Sequence, residues 1–342
     1  MNKDKGFISI NALFIMVITL ISALFLIYTS NQEYLIINSS KNNIQAYYLA
    51  ESKIHMVLNK EEYYYGQLLP RIETYLKYGR LGPTYDGKIS LDNKDLFEDD
   101  NNNIVNLSFA EENKRRILEF KTSSTYFGIS KNILAKMTII NDLFEMWIPI
   151  VSIEHIQQDK VEEFTNYMLH LQEKIEIPKL PNGIKAIDAI DYEEVKIING
   201  LDNRINIEFF RNNIDEPVKR EILVNEEIFL LLRNSHTVPI LSIASEKDWE
   251  KVKLKGIIHV EGDLIINSDF ELDGIVILHN GQIIINPSKE VKIHGIILLN
   301  NCYENLLDYE KVQINYNYNF IKEYGIYLPK FIEPKIQHIK NY

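Results

Sequence analysis

The sequence predicts an α+β protein with a long N-terminal helix, a small antiparallel β-sheet domain and a short parallel β-solenoid near the C-terminus. Three observations support this fold class. Residues 7–28 form an uncharged apolar run, a helical pattern without glycine or proline continues to about Asn59, and residues 252–301 contain a repeated strand pattern. The 342-residue chain therefore divides into a membrane-spanning segment and about two modest domains.

The apolar run at residues 7–28 is long enough to cross a membrane. Its 22 residues span roughly 33 Å as a helix, and the hydrocarbon core of a bilayer is about 30 Å thick. A cleaved signal peptide has a shorter apolar core that ends in small residues, whereas this run ends in Phe-Leu-Ile-Tyr. Lys3 and Lys5 precede the run and the next charge is Glu33, so we expect a cytoplasmic N-terminus and residues 30–342 outside.

The helix is expected to continue past the membrane as an amphipathic segment. Apolar or aromatic side chains recur with helical spacing at Ile44, Tyr48, Ile54 and Leu58. A continuous helix over residues 7–59 would be about 80 Å long, apolar on all sides in its first half and on one side in its second half.

A short basic leader ends at Gly6, the aromatic Phe7 follows it, and the segment QAYYLAE occupies residues 45–51. Together with the two-part helix, these features resemble type IV pilin-like proteins, in particular the PilX-type minor pilins and the pseudopilins. The resemblance implies that residues 1–6 are a leader, which a prepilin peptidase removes between Gly6 and Phe7, with methylation of the new N-terminus. It also implies that residues 7–60 pack into a filament, with Asn11, Ala46 and Glu51 as assembly positions.

Asn11 departs from the pattern of the family. Most pilins carry glutamate at the fifth mature position, and that carboxylate pairs with the N-terminal amine of a neighbouring subunit. Asparagine is neutral, so it can form a hydrogen bond but cannot replace the ion pair. The resemblance then implies a minor subunit at the filament tip or one that initiates assembly. The alternative is that this position is only weakly constrained.

Residues 61–155 are expected to form a pilin-like β domain. The region after the helix contains several breakers and reads as a short helix followed by loops. Strand patterns then appear at residues 103–109, 116–122 and 133–141, and the apolar segment 144–153 is limited to an edge or a strand end by Pro149. The resemblance implies that this sheet packs on the amphipathic half of the helix.

Residues 156–250 are interpreted as an inserted or linking α/β region. Residues 157–176 have a helical pattern that ends before Pro178, and a cluster of breakers follows it. Strands are expected near residues 194–198 and 205–210, and residues 221–232 are ambiguous between strand and helix.

Residues 251–342 are predicted to form the β-solenoid and its cap. The segments LKGII, LDGIV and IHGII begin at residues 254, 272 and 293, so the period is 18 and then 21 residues. A period near 20 with short β-branched strands and regular glycines is typical of a parallel β-solenoid, as in bactofilins, although a run of hairpins is an alternative. The aromatic tail at residues 303–342 is expected to cap the last turn.

Neither a catalytic residue nor a cofactor or metal site is predicted. The eight histidines show no metal-binding spacing, and His259, His279 and His294 are interpreted as surface or loop residues. Cys302 is the one cysteine and is expected to be a structural thiol. The net charge of -11 disfavours a nucleic-acid ligand, which would require a basic face.

The function expected from these features is that of a structural minor pilin or pseudopilin rather than an enzyme. Its expected partners are the cell membrane, which it crosses once, other pilin subunits, the prepilin peptidase and the assembly machinery. The C-terminal domains would be extracytoplasmic and would reach a cell-surface filament after assembly. Two alternatives remain: a tip adhesin that presents an exposed aromatic patch, and an uncleaved, bactofilin-like scaffold.

Overall fold

The N-terminus forms one uninterrupted helix, α1, from Lys3 to Asn59. In the computed structural model of the protein, the described residues are 3–98, 100–201, 204–212, 214–247, 249–302 and 311–342. Residues 7–59 contain neither glycine nor proline, so nothing in the backbone interrupts the helical hydrogen bonds. Among the described residues, α1 is the one helix long and apolar enough to span a membrane.

Four shorter helices follow α1 in the described part of the chain, and a π-helical turn, Tyr64–Leu68, joins the first two of them. These helices are α2 Glu61–Tyr63, α3 Leu69–Tyr78, α4 Val161–Lys174 and α5 Tyr318–Gly325. Helix α3 ends at Gly79, whose positive φ of 70° allows its N–H to donate to the Tyr75 carbonyl. Short 3₁₀ turns occur at Asn93–Asp95, Asp142–Glu145 and Gln158–Lys160.

Eighteen strands are present among the described residues, and they form three sheets. The strands are β1 Lys88–Ser90, β2 Ile104–Glu112, β3 Arg115–Tyr126, β4 Ile129–Ile140, β5 Ile150–Val151, β6 Lys185–Ile190, β7 Glu194–Asn199, β8 Ile205–Phe210, β9 Lys219–Leu223, β10 Glu227–Arg233, β11 Ile240–Ser245, β12 Val252–Val260, β13 Asp263–Ile266, β14 Phe270–His279, β15 Ile283–Ile285, β16 Val291–Asn300, β17 Val312–Asn315 and β18 Ile332–Asn341. The chain is therefore α+β, as the sequence predicts.

The antiparallel sheet has the strand order β1-β2-β3-β4-β18 and packs on the second half of α1. Ala50, Ile54 and Val57 are fully buried in the same core as Phe120 and Met137 of the sheet. Their spacing of three and four residues places these helix side chains on one face. The strands expected at 103–109, 116–122 and 133–141 correspond to β2, β3 and β4.

The expectation for residues 144–153 was wrong, because this segment adds no strand to the antiparallel sheet. Only Ile150–Val151 is extended, and it pairs in parallel with β16, with Ile150 opposite Ile297. Pro149 has no N–H to donate, but its carbonyl accepts a hydrogen bond of 2.9 Å from the N–H of Ile297. The proline therefore limits the length of this strand but does not determine which sheet the strand joins.

The other two sheets are largely parallel and face each other. The first parallel sheet has the order β17-β16-β14-β12-β10-β6, and the second sheet has the order β15-β13-β11-β7-β8-β9. The chain alternates between them, passing from β10 to β11, from β12 to β13 and from β14 to β15. The register aligns Gly256 with Gly274 and Gly274 with Gly295, so the repeated residues lie side by side.

The strands of the first parallel sheet change pattern at their glycines. In β12, Val252 and Leu254 are buried while Lys253 and Lys255 are not, and every residue from Gly256 to Val260 is buried. The first part of each strand contacts the core on one face only. The second part is covered on both faces, by the second sheet inside and by a layer that includes α4 and α5 outside. Strands buried on both faces have continuous apolar sequences, which explains the runs that follow the glycines.

The domain boundaries expected at 156–250 and 251–342 do not match the sheets. Strands β6, β7, β10 and β11 belong to the two facing sheets, so these sheets begin well before residue 251. The β8–β9 hairpin interrupts the repeat between β7 and β10, and Ile228 takes the position that glycine holds in the next strands. The ambiguous segment 221–232 contains the end of β9, a turn and most of β10.

The C-terminal tail does more than cap the sheets. Part of it, residues 303–310, lies outside the described residues. β17 then pairs with β16, α5 covers the outer face of the first parallel sheet, and β18 returns to pair with β4. The tail therefore contacts both the first parallel sheet and the antiparallel sheet.

Candidate functional site

The predicted processing and assembly residues all lie on α1. Gly6 and Phe7 are in its first turns, and Phe7 and Asn11 are one helical turn apart, so they share a face. Both Phe7 and Asn11 are exposed. Ala46 is fully buried and Glu51 is half-buried, roughly 58 and 66 Å further along the helix from Phe7. The structure therefore places these residues in two separate groups, one at each end of α1.

The first half of α1 presents an apolar surface that no other described part of the chain covers. The large exposed apolar side chains up to residue 37 are Phe7, Ile8, Ile10, Leu13, Phe14, Ile15, Met16, Val17, Ile18, Leu20, Ile21, Leu24, Phe25, Leu26, Ile27, Tyr28, Tyr34, Leu35, Ile36 and Ile37. The hydroxyl groups of Thr19 and Thr29 donate to the carbonyls of Ile15 and Phe25, at 3.1 and 3.0 Å. These polar groups are therefore satisfied within the helix, as an apolar environment requires.

A buried ion pair links the second half of α1 to the loop that precedes β2 of the antiparallel sheet. The Lys53 ammonium lies 2.7 Å from the Asp100 carboxylate, and both side chains are about 2% exposed. The ammonium also donates to the carbonyls of Asn102 and Ser123, at 2.5 and 2.7 Å. The hydroxyl of Ser124 donates to the same Asp100 carboxylate. Helix, loop and strand β3 therefore meet at one charged group.

Sequence reasoning missed the role of Lys53, although a signal was present. Lys53 lies seven residues after Ala46 and three after Ala50, which places it on the buried face of α1. Burial lowers the pKa of the Lys53 ammonium, and the hydrogen bond to Asp100 opposes that shift. A lysine on the apolar stripe of an amphipathic helix thus indicates a buried partner elsewhere in the fold.

A second polar contact joins the antiparallel unit to the C-terminal tail. Glu145 is fully buried, the Tyr318 hydroxyl donates to it at 2.9 Å, and the Arg115 guanidinium lies 3.4 Å away. Burial raises the pKa of the Glu145 carboxyl. The Tyr316 hydroxyl donates to the Phe144 carbonyl at 2.7 Å. These tail tyrosines make contacts inside the chain, which reduces the aromatic surface that an adhesin would present.

The interpretation of His259 and His279 as surface residues was wrong, because both are fully buried. They lie on the outer face of the first parallel sheet, which α4 covers. His294 is half-buried beside Glu271 and Asp273, and ligand atoms of these three residues lie within 4.8 Å of one another. The spacing of histidines along the sequence does not reveal either group, since parallel pairing joins residues about 20 positions apart.

The remaining predicted residue, Cys302, is partly buried. Its thiol donates weak hydrogen bonds to the carbonyls of Leu278 and Asn300, at 3.4 and 3.2 Å. These contacts fit the expected structural role.

Comparison of the chain with protein-family models, curated proteins and solved structures finds no match.

Proposed function

We propose that the protein is a minor subunit of a type IV pilus-like filament. The observation that carries the proposal is the division of α1 into two halves with different surroundings. The first half exposes apolar side chains on all sides, and the second half is docked on the antiparallel sheet. A helix of this kind can hold the subunit in a membrane and later pack against other helices in a filament.

The first half of α1 also suits the proposed processing. The apolar run begins at Phe7, directly after the proposed cleavage site, so cleavage would place a new amine at the end of an apolar helix. Lys3 and Lys5 would keep that end in the cytoplasm before assembly. Asn11 lies one turn from Phe7 on the same face and could accept a hydrogen bond from the amine of a neighbouring subunit. It cannot neutralise that charge, which favours a tip-located or initiating subunit.

We interpret the two facing sheets as a short β-solenoid carried outside the membrane. Each pass of the chain adds one strand to each sheet, and the aligned glycines let successive passes approach closely. The β8–β9 hairpin would close the first end, because Phe209 and Leu223 lie in the inner core. Lys185 of β6 and Glu221 of β9 form an ion pair at 2.6 Å across this end. Closure of this kind protects strand edges from pairing with other chains.

The N-terminus of the mature protein tests the proposal directly. Expressed with a prepilin peptidase, the chain should lose residues 1–6 and begin at Phe7, as measured by mass spectrometry of the intact protein. Gly6→Leu should prevent this loss, whereas Gly66→Ala, at a glycine with no atom within 4 Å of an added Cβ, should not. An unprocessed parent chain that still begins at Met1 or Asn2 would favour the uncleaved scaffold and refute the proposal.

A further inference from the structure

A group of polar side chains is buried between the first parallel sheet and helix α4. His259 lies near the end of β12 and Glu261 follows two residues later, so both project from the same outer face. His279 ends β14 and lies beside Glu261, because the preceding residues Val260 and Leu278 are paired. Gln172 of α4 donates to the Glu261 carboxylate at 3.3 Å, which places the helix directly over the group.

Several atoms of this group have no hydrogen-bond partner among the described residues. They are both ring nitrogens of His259, Oε1 of Glu261 and Nε2 of His279, and each is buried. His259 Nε2 lies 3.6 Å from Glu261 Oε1, which is too long for a good hydrogen bond. A buried polar atom without a partner is destabilising, so several in one place indicate that a ligand satisfies them.

We propose that His259, Glu261 and His279 bind a divalent transition-metal ion such as Zn²⁺. Two imidazoles and one carboxylate are ligands that such ions prefer. Two ligand atoms at about 2.1 Å from a tetrahedral metal lie about 3.4 Å apart, close to the 3.6 Å between His259 Nε2 and Glu261 Oε1. The rings of His259 and His279 have centroids 5.0 Å apart and are tilted by 32°, which places the third ligand residue next to the other two.

The surroundings of the three ligands support the same chemistry. Gln172 holds the second oxygen of Glu261, and Asn300 lies 3.5 Å from Nδ1 of His279. Metal-binding side chains commonly have such outer partners; with a metal on Nε2 of His279, its Nδ1–H would donate to the amide oxygen of Asn300.

The neighbouring group of Glu271, Asp273 and His294 is more closely spaced but is a weaker candidate. All three residues are half-buried, and the Lys251 ammonium already lies 2.9 Å from the Glu271 carboxylate. A lysine that neutralises a carboxylate removes the need for a second cation. This group therefore serves as an internal control.

A metal ion at the proposed site would have a structural role. It would join strands β12 and β14, while Gln172 would hold α4 to the same centre. Both histidines are fully buried, so the ion would lie in the interior and would stabilise the attachment of the helix.

Cobalt and zinc titrations of the full chain in detergent micelles, with a histidine-free purification tag, test the proposal. The parent protein should bind one Co²⁺ per chain with a visible d–d absorption band, and Zn²⁺ should displace it. Glu261→Gln and His279→Gln should weaken binding at least 10-fold, and Gln172→Leu, which removes only an outer partner, by about 10–100-fold. His294→Gln, the matched control, should bind as the parent does.

Circular dichroism establishes which variants are folded before their affinities are compared. A folded parent that binds no Co²⁺ would overturn the proposal. Equal binding by the parent and by a folded His259→Gln/His279→Gln double variant would also overturn it. Loss of binding in His294→Gln alone would assign the metal to the neighbouring group instead.

Discussion

Gly274→Ala is the sharpest test of the register between the strands of the first parallel sheet. Gly274 lies within β14, paired with Gly256 on one side and Gly295 on the other. A Cβ at this position would lie 1.9 Å from the carbonyl oxygen of Gly256, and the φ of +156° is itself rare for residues with a side chain. The substitution therefore combines a steric clash with an unfavourable backbone conformation.

The cost of this change follows from the clash. Real Cβ atoms essentially never come closer than 3.0 Å to such an oxygen, so one strand must move by about 1.1 Å relative to the other (3.0 minus 1.9). Overpacking of a core costs about 1–3 kcal/mol and each lost ladder hydrogen bond about 1 kcal/mol. We expect a loss of about 3–5 kcal/mol, which lowers the unfolding temperature by roughly 10 °C in a chain of this size.

Thermal and urea unfolding of the full chain in detergent micelles, followed by circular dichroism, measures the effect. Gly66→Ala is the matched control, because no atom lies within 4 Å of its added Cβ and its φ is not positive. It should change stability by less than about 1 kcal/mol. Gly128→Ala, with a φ of +78° and free space, separates the backbone effect and should cost about 1–2 kcal/mol. An unchanged unfolding temperature for Gly274→Ala would refute the register.

Three further predictions concern α1 and the buried charges. Lys53→Met should cost about 3–5 kcal/mol, because it leaves the Asp100 carboxylate buried without its cation, and hydrogen exchange should increase in residues 43–59. Adding Asp100→Asn should recover part of this loss, and Lys41→Met, at an exposed position of the same helix, should have little effect. The parent should become less stable as the pH rises above 4.5, and the Glu145→Gln variant should not show this loss. The folded state of the parent holds this proton more tightly than the unfolded state, so thermal unfolding of both proteins between pH 4 and 8 measures the difference. If the subunit occupies the filament tip, as proposed, Asn11→Glu should extend its incorporation along the shaft, as seen by immunogold labelling.

Each of these three predictions has an outcome that contradicts it. Equal hydrogen exchange in the Lys53→Met and Lys41→Met variants would show that the buried ion pair does not hold α1 to the sheet. Parallel pH profiles for the parent and Glu145→Gln would show that the Glu145 proton is not coupled to folding. Labelling of the shaft by both the parent and the Asn11→Glu variant would rule out a tip position.

The sequence predicted the elements whose patterns are local. The absence of glycine and proline over residues 7–59 predicts one long helix, and strands β2, β3 and β4 follow from alternating side chains. The glycine repeat predicts that Gly256, Gly274 and Gly295 occupy equivalent positions, and the strand register pairs them. These predictions succeed because periodicity along the chain is a direct consequence of backbone geometry.

The burial of the charged and polar groups depends on contacts that local sequence patterns do not reveal. His259 and His279 have the same local sequence pattern whether their face of the sheet meets solvent or α4, and α4 lies about 90–110 residues earlier in the chain. Asp100, the partner of Lys53, comes from a loop, and β18 reaches β4 from the far end of the chain. What covers a given face depends on contacts between distant segments. Local patterns in the sequence therefore predict the helix and the repeat, whereas the buried sites depend on how distant segments pack together.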